Sequence, residues 1–321
     1  EHAAYHHGEA SLNGTIIGLA QNFVGSNNLP LLVPAGQFGS RLQGGKDAAS
    51  ARYIHTFLQK YTRDIFLSVD DNLLPNQEDD GMKIQPEHYA PCIPLLLVNG
   101  STGIGTGWSC CWPRHDPVQL IDYLLGQTNT LKPAFKGYNG TVKYDENYNI
   151  VSTGKWSRRT KNRIIISELP IGVWTQTYKD WLNKSKQQSW ITRIEKDEST
   201  PDKVHFEINV DIKNEQVEEK FNLTKKMNII LTGFDTNGKI KTYTSVKDML
   251  DEWVTARLVL YRKRRIVIMC ATEEKIRLLN EKINFIQAVN NGALQMKNLN
   301  KKDLIDLLVS KQFKHAEKLI S

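Results

Sequence analysis

The chain has 321 residues, of which 40% are hydrophobic and 24% are charged, and its formal net charge is +7. This length allows two or three globular units, and the charge suits a polyanionic partner without requiring one. The sequence shows no signal-peptide pattern, no apolar run long enough to cross a membrane and no Cys-x-x-Cys pair, which argues against a secreted disulfide framework, a membrane span and a zinc ribbon. Because it begins at Glu1, we expect it to be part of a longer protein.

The first element is an amphipathic segment preceded by two histidines. Apolar residues at helical spacing predict a helix over residues 9–24 that Gly25 ends. His6 and His7 stand directly before it. They could be zinc ligands, although further ligands at standard spacing are missing, or they could be a core feature. They could also contact a phosphate, since a helix N-terminus favours anions and histidine can donate to a phosphate oxygen.

The next stretch, residues 27–45, is broken by prolines and glycines and predicts a loop and hairpin. A second helix is then predicted from apolar residues at helical spacing: Ile54, Phe57, Leu58, Tyr61 and Ile65. Two helices with a short β element between them, within about a hundred residues, suit a winged helix-turn-helix.

Arg52 and Tyr53 open this predicted helix, on the far side and the flank of its apolar stripe, so neither is needed to fill the core. A phenol has a pKa near 10 and is a poor nucleophile at neutral pH without cationic help. Arg52 is adjacent, and Lys46 and Arg41 lie shortly upstream. A guanidinium there could hold a scissile phosphate, and attack by the phenol would give an aryl phosphodiester that can reverse without ATP.

Two glycine-rich loops do not match nucleotide-binding motifs. In "GSRLQGGKD", Asp47 stands where a P-loop requires Ser or Thr after the lysine. In "GSTGIGTG", the glycines at 103, 105 and 107 have the wrong spacing for a dinucleotide fingerprint.

Residues 93–108 predict a buried strand that opens into this second loop, where Ile104 would be an ordinary buried residue in a tight turn. A short helix follows, with Asp116 as its cap and Pro117 in its first turn. From Gly140 the pattern predicts strands, and Asn237-Gly238 is typical of a hairpin turn. These elements predict a second, mixed α/β unit of roughly 130 residues.

From about Val246 the sequence is helical and charged, with a coiled-coil spacing at Ile276, Leu279, Ile283 and Ile286. The run "YRKRR" at residues 261–265 is either a solvated helix face or a phosphate contact. We expect a long helical arm.

Six blocks carry a family resemblance: "YHHGE", "IIGLAQNFVGSNN", "GQFGSRL", "GGKDAASARYI", "VNGSTGIGTGWS" and "ELPIGVWTQTYK". In this order they resemble the DNA cleavage and religation core of eukaryotic-type type IIA DNA topoisomerases. The resemblance covers essentially the whole chain and is densest before about residue 110.

The resemblance implies an α+β multidomain fold. Residues 1–110 would form a winged-helix domain with the catalytic tyrosine, residues 111–245 a mixed α/β tower (shoulder) domain that bends DNA, and residues 246–321 the partial coiled-coil arm toward the exit gate. The implied activity is transient double-strand cleavage through 5′-phosphotyrosyl links, passage of a second duplex, and religation.

By the same resemblance, Tyr53 matches the catalytic tyrosine, Arg52 the arginine that holds the scissile phosphate, and His7 the active-site histidine. Ile104 falls at the isoleucine that wedges between base pairs and kinks the duplex, which gives a physical reason for an apolar residue on a glycine-rich loop. The DNA-contacting residues that we predict are His6, Arg41, Lys46 and Ile104.

The family's magnesium site is a TOPRIM domain, and its ATP site a separate module. No Asp-x-Asp or Glu-Gly-x-Ser-Ala block occurs in this chain, so we predict no metal ligands here and expect Mg²⁺ and ATP to bind domains upstream of Glu1. The chain alone would bind double-stranded DNA and cut it poorly. The family pattern implies a homodimer, in the nucleus for a cellular enzyme, or in the host cytoplasm or nucleus for a copy from a large DNA virus, which the short tower suggests.

Two alternatives differ in chemistry. A DNA-bending architectural module would keep the basic charge, the wing and the wedge without a working nucleophile. A meiotic-type cleaver without religation lacks a tower and arm of this length.

Overall fold

The structure is a computed structural model that describes residues 5–295 and 299–319. It contains two compact units, one ending at Arg257 and the other beginning at Leu258. The domain boundaries expected after residues 110 and 245 remain predictions.

The helices differ greatly in length, from single turns to one of 45 residues. In chain order they are α1 (Glu9–Ala20), α2 (Thr62–Ile65), α3 (Ser68–Asp71), α4 (Leu95–Asn99), α5 (Pro117–Leu124), α6 (Thr175–Ser185), α7 (Val217–Lys220), α8 (Val246–Asn290), α9 (Lys301–Ser310) and α10 (Ala316–Leu319). Short 3₁₀ turns occur at Ala51–Tyr53 and Asn214–Gln216.

The strands pair only in antiparallel fashion within the described residues. They are β1 (Asn76–Asp79), β2 (Met82–Pro86), β3 (Ser101–Gly105), β4 (Trp108–Trp112), β5 (Thr141–Tyr144), β6 (Ile150–Thr153), β7 (Lys155–Thr160), β8 (Arg163–Glu168), β9 (Ile191–Asp197), β10 (Phe206–Val210), β11 (Thr224–Met227), β12 (Thr232–Phe234) and β13 (Ile240–Thr242). One sheet has the order β7-β8-β10-β9 and another the order β11-β6-β5, while β1-β2, β3-β4 and β12-β13 are hairpins.

The first helix is shorter than the sequence predicts. α1 ends at Ala20, because Gln21 turns to an extended conformation and its side-chain nitrogen donates to the carbonyl of Phe38 at 2.9 Å. Phe23 therefore leaves the helical stripe and packs edge-on against Trp174, with ring centroids 5.8 Å apart.

Residues 54–61 are not helical, so the second predicted helix is wrong apart from the single turn of α2. They run antiparallel to residues 31–35: Val33 N–H donates to Phe57 O at 2.8 Å, and Gln59 N–H donates to Leu31 O at 3.0 Å. The helical spacing arose by coincidence in a segment whose partner strand decides its conformation.

The buried strand predicted from residue 93 is also wrong. The apolar run "LLLVN" forms α4, in which Leu97 and Val98 are fully buried, and the glycine-rich stretch forms the hairpin β3-β4. A short apolar run does not distinguish a buried helical turn from a buried strand.

The mixed α/β part of the first unit agrees with the sequence. The four-stranded sheet packs its inner face on α6 and α7, with a core that includes Ile164, Ile166, Tyr178, Phe206 and Phe221. The predicted helix cap and hairpin turn are confirmed as well. The Asp116 carboxylate accepts from the first amides of α5, and β12-β13 turns at residues 237–238.

The second unit contains the rest of α8, with α9 and α10. Its core is built on Leu294, Leu308 and Ala316. His315 lies between two carboxylates of α8, with Nε2 2.5 Å from Glu274 and Nδ1 3.2 Å from Glu281, and these contacts raise the pKa of His315. The predicted seam residues of α8 are each about half exposed, and their coiled-coil partner remains a prediction.

Candidate active site and nucleic-acid interface

The predicted nucleophile lies at the end of a loop, residues 36–54, whose two ends are paired. Ala35 and His55 exchange backbone hydrogen bonds of 3.1 and 3.0 Å. Tyr53 closes the 3₁₀ turn Ala51–Tyr53, and its N–H donates to Ser50 O at 2.9 Å. The tyrosine is therefore held by a fixed backbone rather than by the first turn of a long helix.

The side chains of Tyr53 and Arg52 lie together at the surface. Tyr53 is 68% exposed, and the Arg52 guanidinium carbon lies 4.8 Å from the centre of its ring. A guanidinium at this distance from an aromatic face is attracted by the ring quadrupole. The prediction that Tyr53 stays outside the core is confirmed, and the phenol is open to a large substrate.

The upstream half of the loop is packed. The amide and hydroxyl of Ser40 donate to the Asp47 carboxylate at 2.8 and 2.5 Å, and Ala49 N–H donates to Gln37 O at 2.9 Å. Asp47, which excludes a P-loop in the sequence, thus closes the loop on itself. Lys46 remains exposed beside this clamp.

Two glycines allow the loop to fit its neighbours. Gly44 has a φ of +64°, and a Cβ there would lie 2.2 Å from Trp174. Gly39 has a φ of +96°, and a Cβ there would lie 2.6 Å from the backbone of Gly45. Any side chain at either position would displace the loop.

Arg41 does not belong to an exposed phosphate-binding surface, which corrects its prediction as a DNA contact. Its side chain is 5% exposed and forms an ion pair with Glu168, the last residue of β8, whose side chain is 1% exposed. Burial, with the Glu168 carboxylate nearby, raises the pKa of the neighbouring Tyr138 hydroxyl. Sequence reasoning missed Glu168, because no local pattern connects residues 127 positions apart.

The two histidines precede α1 as predicted and are exposed. The ring of His7 packs edge-on against Tyr5, with centroids 5.2 Å apart. His6 Nε2 lies 3.9 Å from the carboxylate of Asp79, at the tip of the β1-β2 hairpin. Of the predicted site residues, Arg52 and Tyr53 contact each other. His6 and His7 instead contact Asp79 and Tyr5, which were not predicted as site residues.

Ile104 lies on the hairpin β3-β4, opposite Ser109, and is 93% exposed. The base of the hairpin is fixed: Trp112 is 4% exposed and its indole N–H donates to Thr232 O at 2.7 Å. The expectation of a buried residue in a tight turn is wrong. A large apolar side chain is instead presented to solvent on a rigid support.

A second missed residue is Asn28, which is 6% exposed. Its amide nitrogen donates to the carbonyls of Val98, His115 and Ala134 at 2.9, 3.1 and 2.9 Å, and its amide oxygen accepts from Lys136 N–H at 2.9 Å. Asn28 therefore ties the chain that follows α1 to α4, to the segment after β4 and to residues 134–136. Its only sequence signal was a polar residue inside a block of the family pattern.

Across residues 5–295 and 299–319, no group of three or more His, Cys, Asp or Glu side chains could hold a metal ion. Within the same residues, no helix is both long and apolar enough to cross a bilayer.

Nearly the whole chain matches a family model. Residues 2–319 fit the family described as the A subunit of DNA gyrase/topoisomerase IV, and the chain belongs to that family. Among curated relatives it is 40% identical over 325 residues to the mitochondrial DNA topoisomerase 2 of Dictyostelium discoideum. The aligned region covers 97% of this chain and 25% of that relative. It is 39% identical over 332 residues to DNA topoisomerase 2-beta of Gallus gallus, and that aligned region covers 98% of this chain and 20% of the relative.

A solved structure is also similar. The DNA-binding, cleavage and re-ligation domain of Plasmodium falciparum topoisomerase II superposes with a TM-score of 0.89 at 36% identity, over 99% of this chain and 45% of that one. The resemblance to eukaryotic-type topoisomerases and the α+β fold class are confirmed. The chain spans about a quarter or less of the length of these curated relatives.

Proposed function

We propose that this chain is the DNA breakage-reunion core of an ATP-dependent type II DNA topoisomerase. The observation that carries the proposal is the pair formed by Tyr53 and Arg52, an exposed phenol with a guanidinium 4.8 Å from its ring, on a loop paired at both ends. The 36% identical solved domain, which bears cleavage and re-ligation in its name, supports it.

In the proposed reaction the phenolic oxygen of Tyr53 attacks a backbone phosphorus of DNA. The oxygen–phosphorus bond to Tyr53 forms as the bond from phosphorus to the 3′ oxygen breaks. The phenol gives up its proton, and the 3′ oxygen takes one up. Because one phosphodiester replaces another, the reverse attack by the 3′ hydroxyl reseals the strand without an external energy source.

Arg52 would hold the scissile phosphate and stabilise the charge that develops on its oxygens. His7 would reach the same phosphate region from the segment before α1, with His6 and the exposed Lys46 contacting neighbouring phosphates. Arg41 is not retained in this set, since its charge is neutralised inside the fold.

Ile104 would insert between base pairs and kink the duplex. A wedge requires an apolar side chain in solvent on a support that does not yield, and both conditions are met in β3-β4. An architectural, DNA-bending function without cleavage draws on the same residue and is the alternative outcome of the test below.

The complete protein would act on double-stranded DNA as a homodimer, with a winged-helix domain to residue 110, a tower to residue 245 and a coiled-coil arm beyond it. Mg²⁺ and ATP would be bound by parts of the complete protein outside this chain. Its site of action would be the nucleus in a cell, or the host cytoplasm or nucleus for a viral copy.

The test compares full-length wild type with Tyr53→Phe on supercoiled DNA with Mg²⁺ and ATP, stopping reactions with detergent. Relaxation and protein attached to 5′ ends should both vanish in Tyr53→Phe while DNA binding persists. Tyr148→Phe is the matched control, since this tyrosine is 76% exposed and lies outside the site. A Tyr53→Phe protein that still relaxes DNA would refute the nucleophile, and a wild type that bends DNA without adducts would establish the architectural function.

A further inference from the structure

The loop that carries Tyr53 is also held at Arg41, away from the residues that pair at its two ends. Arg41, in its first half, forms an ion pair with Glu168 at the end of β8, and both side chains are at least 95% buried. Ions in such a site are costly unless every charge has partners, so a pair retained there calls for an explanation beyond stability.

Both oxygens of the Glu168 carboxylate accept hydrogen bonds. One oxygen accepts from Arg41 and from the amide of Leu169 at 2.9 Å, and the other accepts from the amide of Asn139 at 3.1 Å. These donors come from three separate parts of the chain. Arg41 therefore meets an acceptor whose own position is fixed by backbone amides.

The backbone beside Arg41 is docked on α6. Leu42 O accepts from Gln176 N–H at 3.0 Å, at the start of that helix, and Gly44 lies under Trp174 without room for a side chain. The first half of the loop is thereby attached to α6, the helix that packs on the four-stranded sheet.

This attachment extends to the tyrosine through short, continuous contacts. The Asp47 carboxylate binds Ser40, the residue before Arg41, at 2.5 and 2.8 Å. Ala49 then pairs with Gln37, and Tyr53 N–H returns to Ser50 O. These hydrogen bonds connect the backbone beside Arg41 to Ser50 and Tyr53.

We propose that Arg41 and Glu168 are positioning residues that set where the Tyr53 hydroxyl stands relative to the scissile phosphate. They touch no substrate and act through the loop. This inference rests on the proposed function. An apolar pair could fill the same volume, but it would lack the directional guanidinium–carboxylate contact that joins the loop to the end of β8.

The test measures single-turnover cleavage by the full-length protein at saturating DNA that carries sulfur in place of the bridging 3′ oxygen. The sulfur departs readily and religates poorly, so the rate reports the attack alone. The amplitude then reports the folded fraction, and the rate constant reports the geometry of Tyr53. DNA affinity and the melting temperature are measured for each variant.

We expect Glu168→Gln and Arg41→Lys to lower the rate constant by about tenfold or more, since misplacement of a reacting group by about 1 Å costs up to a hundredfold. DNA affinity should stay within twofold. The double variant Arg41→Met with Glu168→Leu, which fills the volume without a charge, should fold and remain slow.

The matched control is Asp70→Asn, which removes the charge from another buried pair, Asp70 with Arg257, whose side chains are 3% and 5% exposed. It should lower the melting temperature without changing the rate constant. Normal rate constants in all three loop variants would overturn the positioning role while leaving the Tyr53 chemistry intact. An equal loss of rate in Asp70→Asn would show a general effect of destabilisation and also overturn it. No adduct from wild type would refute the proposed function itself.

Discussion

The two halves of the loop 36–54 contrast sharply in their surroundings. In the first half the Arg41 side chain is 5% exposed and neutralised by Glu168, while in the second half Tyr53 is 68% exposed with Arg52 against its ring. The proposed nucleophile would have to be open to a large substrate and at the same time held in place. The loop meets the two requirements in different halves, with immobility upstream and access downstream.

The same substitution in the two halves should have very different consequences for the free energy of unfolding. Arg41→Met leaves the Glu168 carboxylate buried without its cation, and we expect the free energy of unfolding to fall by about 3–5 kcal/mol. Arg52→Met removes an exposed group and should change it by no more than about 0.5 kcal/mol. Denaturant titration of both variants measures the difference, and equal losses would mean that the halves are not energetically distinct.

Arg52, which should matter little for stability, should matter greatly for the rate of adduct formation. Loss of a donor that stabilises transition-state charge typically slows a reaction by about 10²–10³-fold, or about 2.7–4 kcal/mol. We expect Arg52→Ala to slow adduct formation by that factor with DNA binding retained. Arg63→Ala is the control, because Arg63 is about half exposed and pairs with Asp71 on the surface. Similar slowing in both variants would mean that Arg52 contributes only its positive charge and not a specific contact with the phosphate.

Buried and exposed histidines extend the comparison to pH. His115 is fully buried, with Nδ1 3.2 Å from Leu97 O and Nε2 2.9 Å from the Tyr144 hydroxyl, and burial lowers its pKa from 6.5 to about 4. The unfolded chain therefore binds a proton that the folded chain does not between those values. Stability should be full above pH 6.5 and fall by roughly 3 kcal/mol as the pH drops toward 4.

His115→Asn should remove most of this dependence while keeping a donor toward Leu97. His55→Gln, at the exposed end of the loop, should keep it. The measurement is the free energy of unfolding between pH 4 and 7, and an unchanged slope in His115→Asn would assign the dependence to other groups.

The smallest effect on stability is expected at Ile104. Its side chain is 93% exposed, so Ile104→Ala should change the free energy of unfolding by less than about 0.5 kcal/mol. Ile150→Ala, at 2% exposure, should cost about 2–5 kcal/mol. Energy transfer between dyes at the ends of a short duplex should show a smaller bend with Ile104→Ala, and an unchanged bend would remove Ile104 from the DNA interface.

Elements with local chemical signals were predictable from the sequence. Asp116 with Pro117 specified the start of α5, and Asn237 with Gly238 specified a hairpin, because each signal acts over a few residues. The segment 54–61 was not, since its pairing with residues 31–35 outweighed an apolar spacing that also fits a helix.

The candidate site divides in the same way. Tyr53 and Arg52 are adjacent in sequence, and the structure keeps them together at the surface. Arg41 was predicted as a DNA contact because its basic charge was visible and its partner, Glu168, lies 127 residues away. Sequence shows which groups are charged, whereas only the fold shows which charges are already neutralised.

The contacts of Asn28 bear on how the chain folds. Its four hydrogen bonds reach partners 70, 87, 106 and 108 residues further along. Until these long loops close, the Asn28 amide lacks its native partners and cannot be buried without loss, and contacts of such high sequence separation slow folding. On the ribosome, the region around α1 and α4 should therefore stay protease-sensitive until Lys136 has emerged, and become resistant in one step.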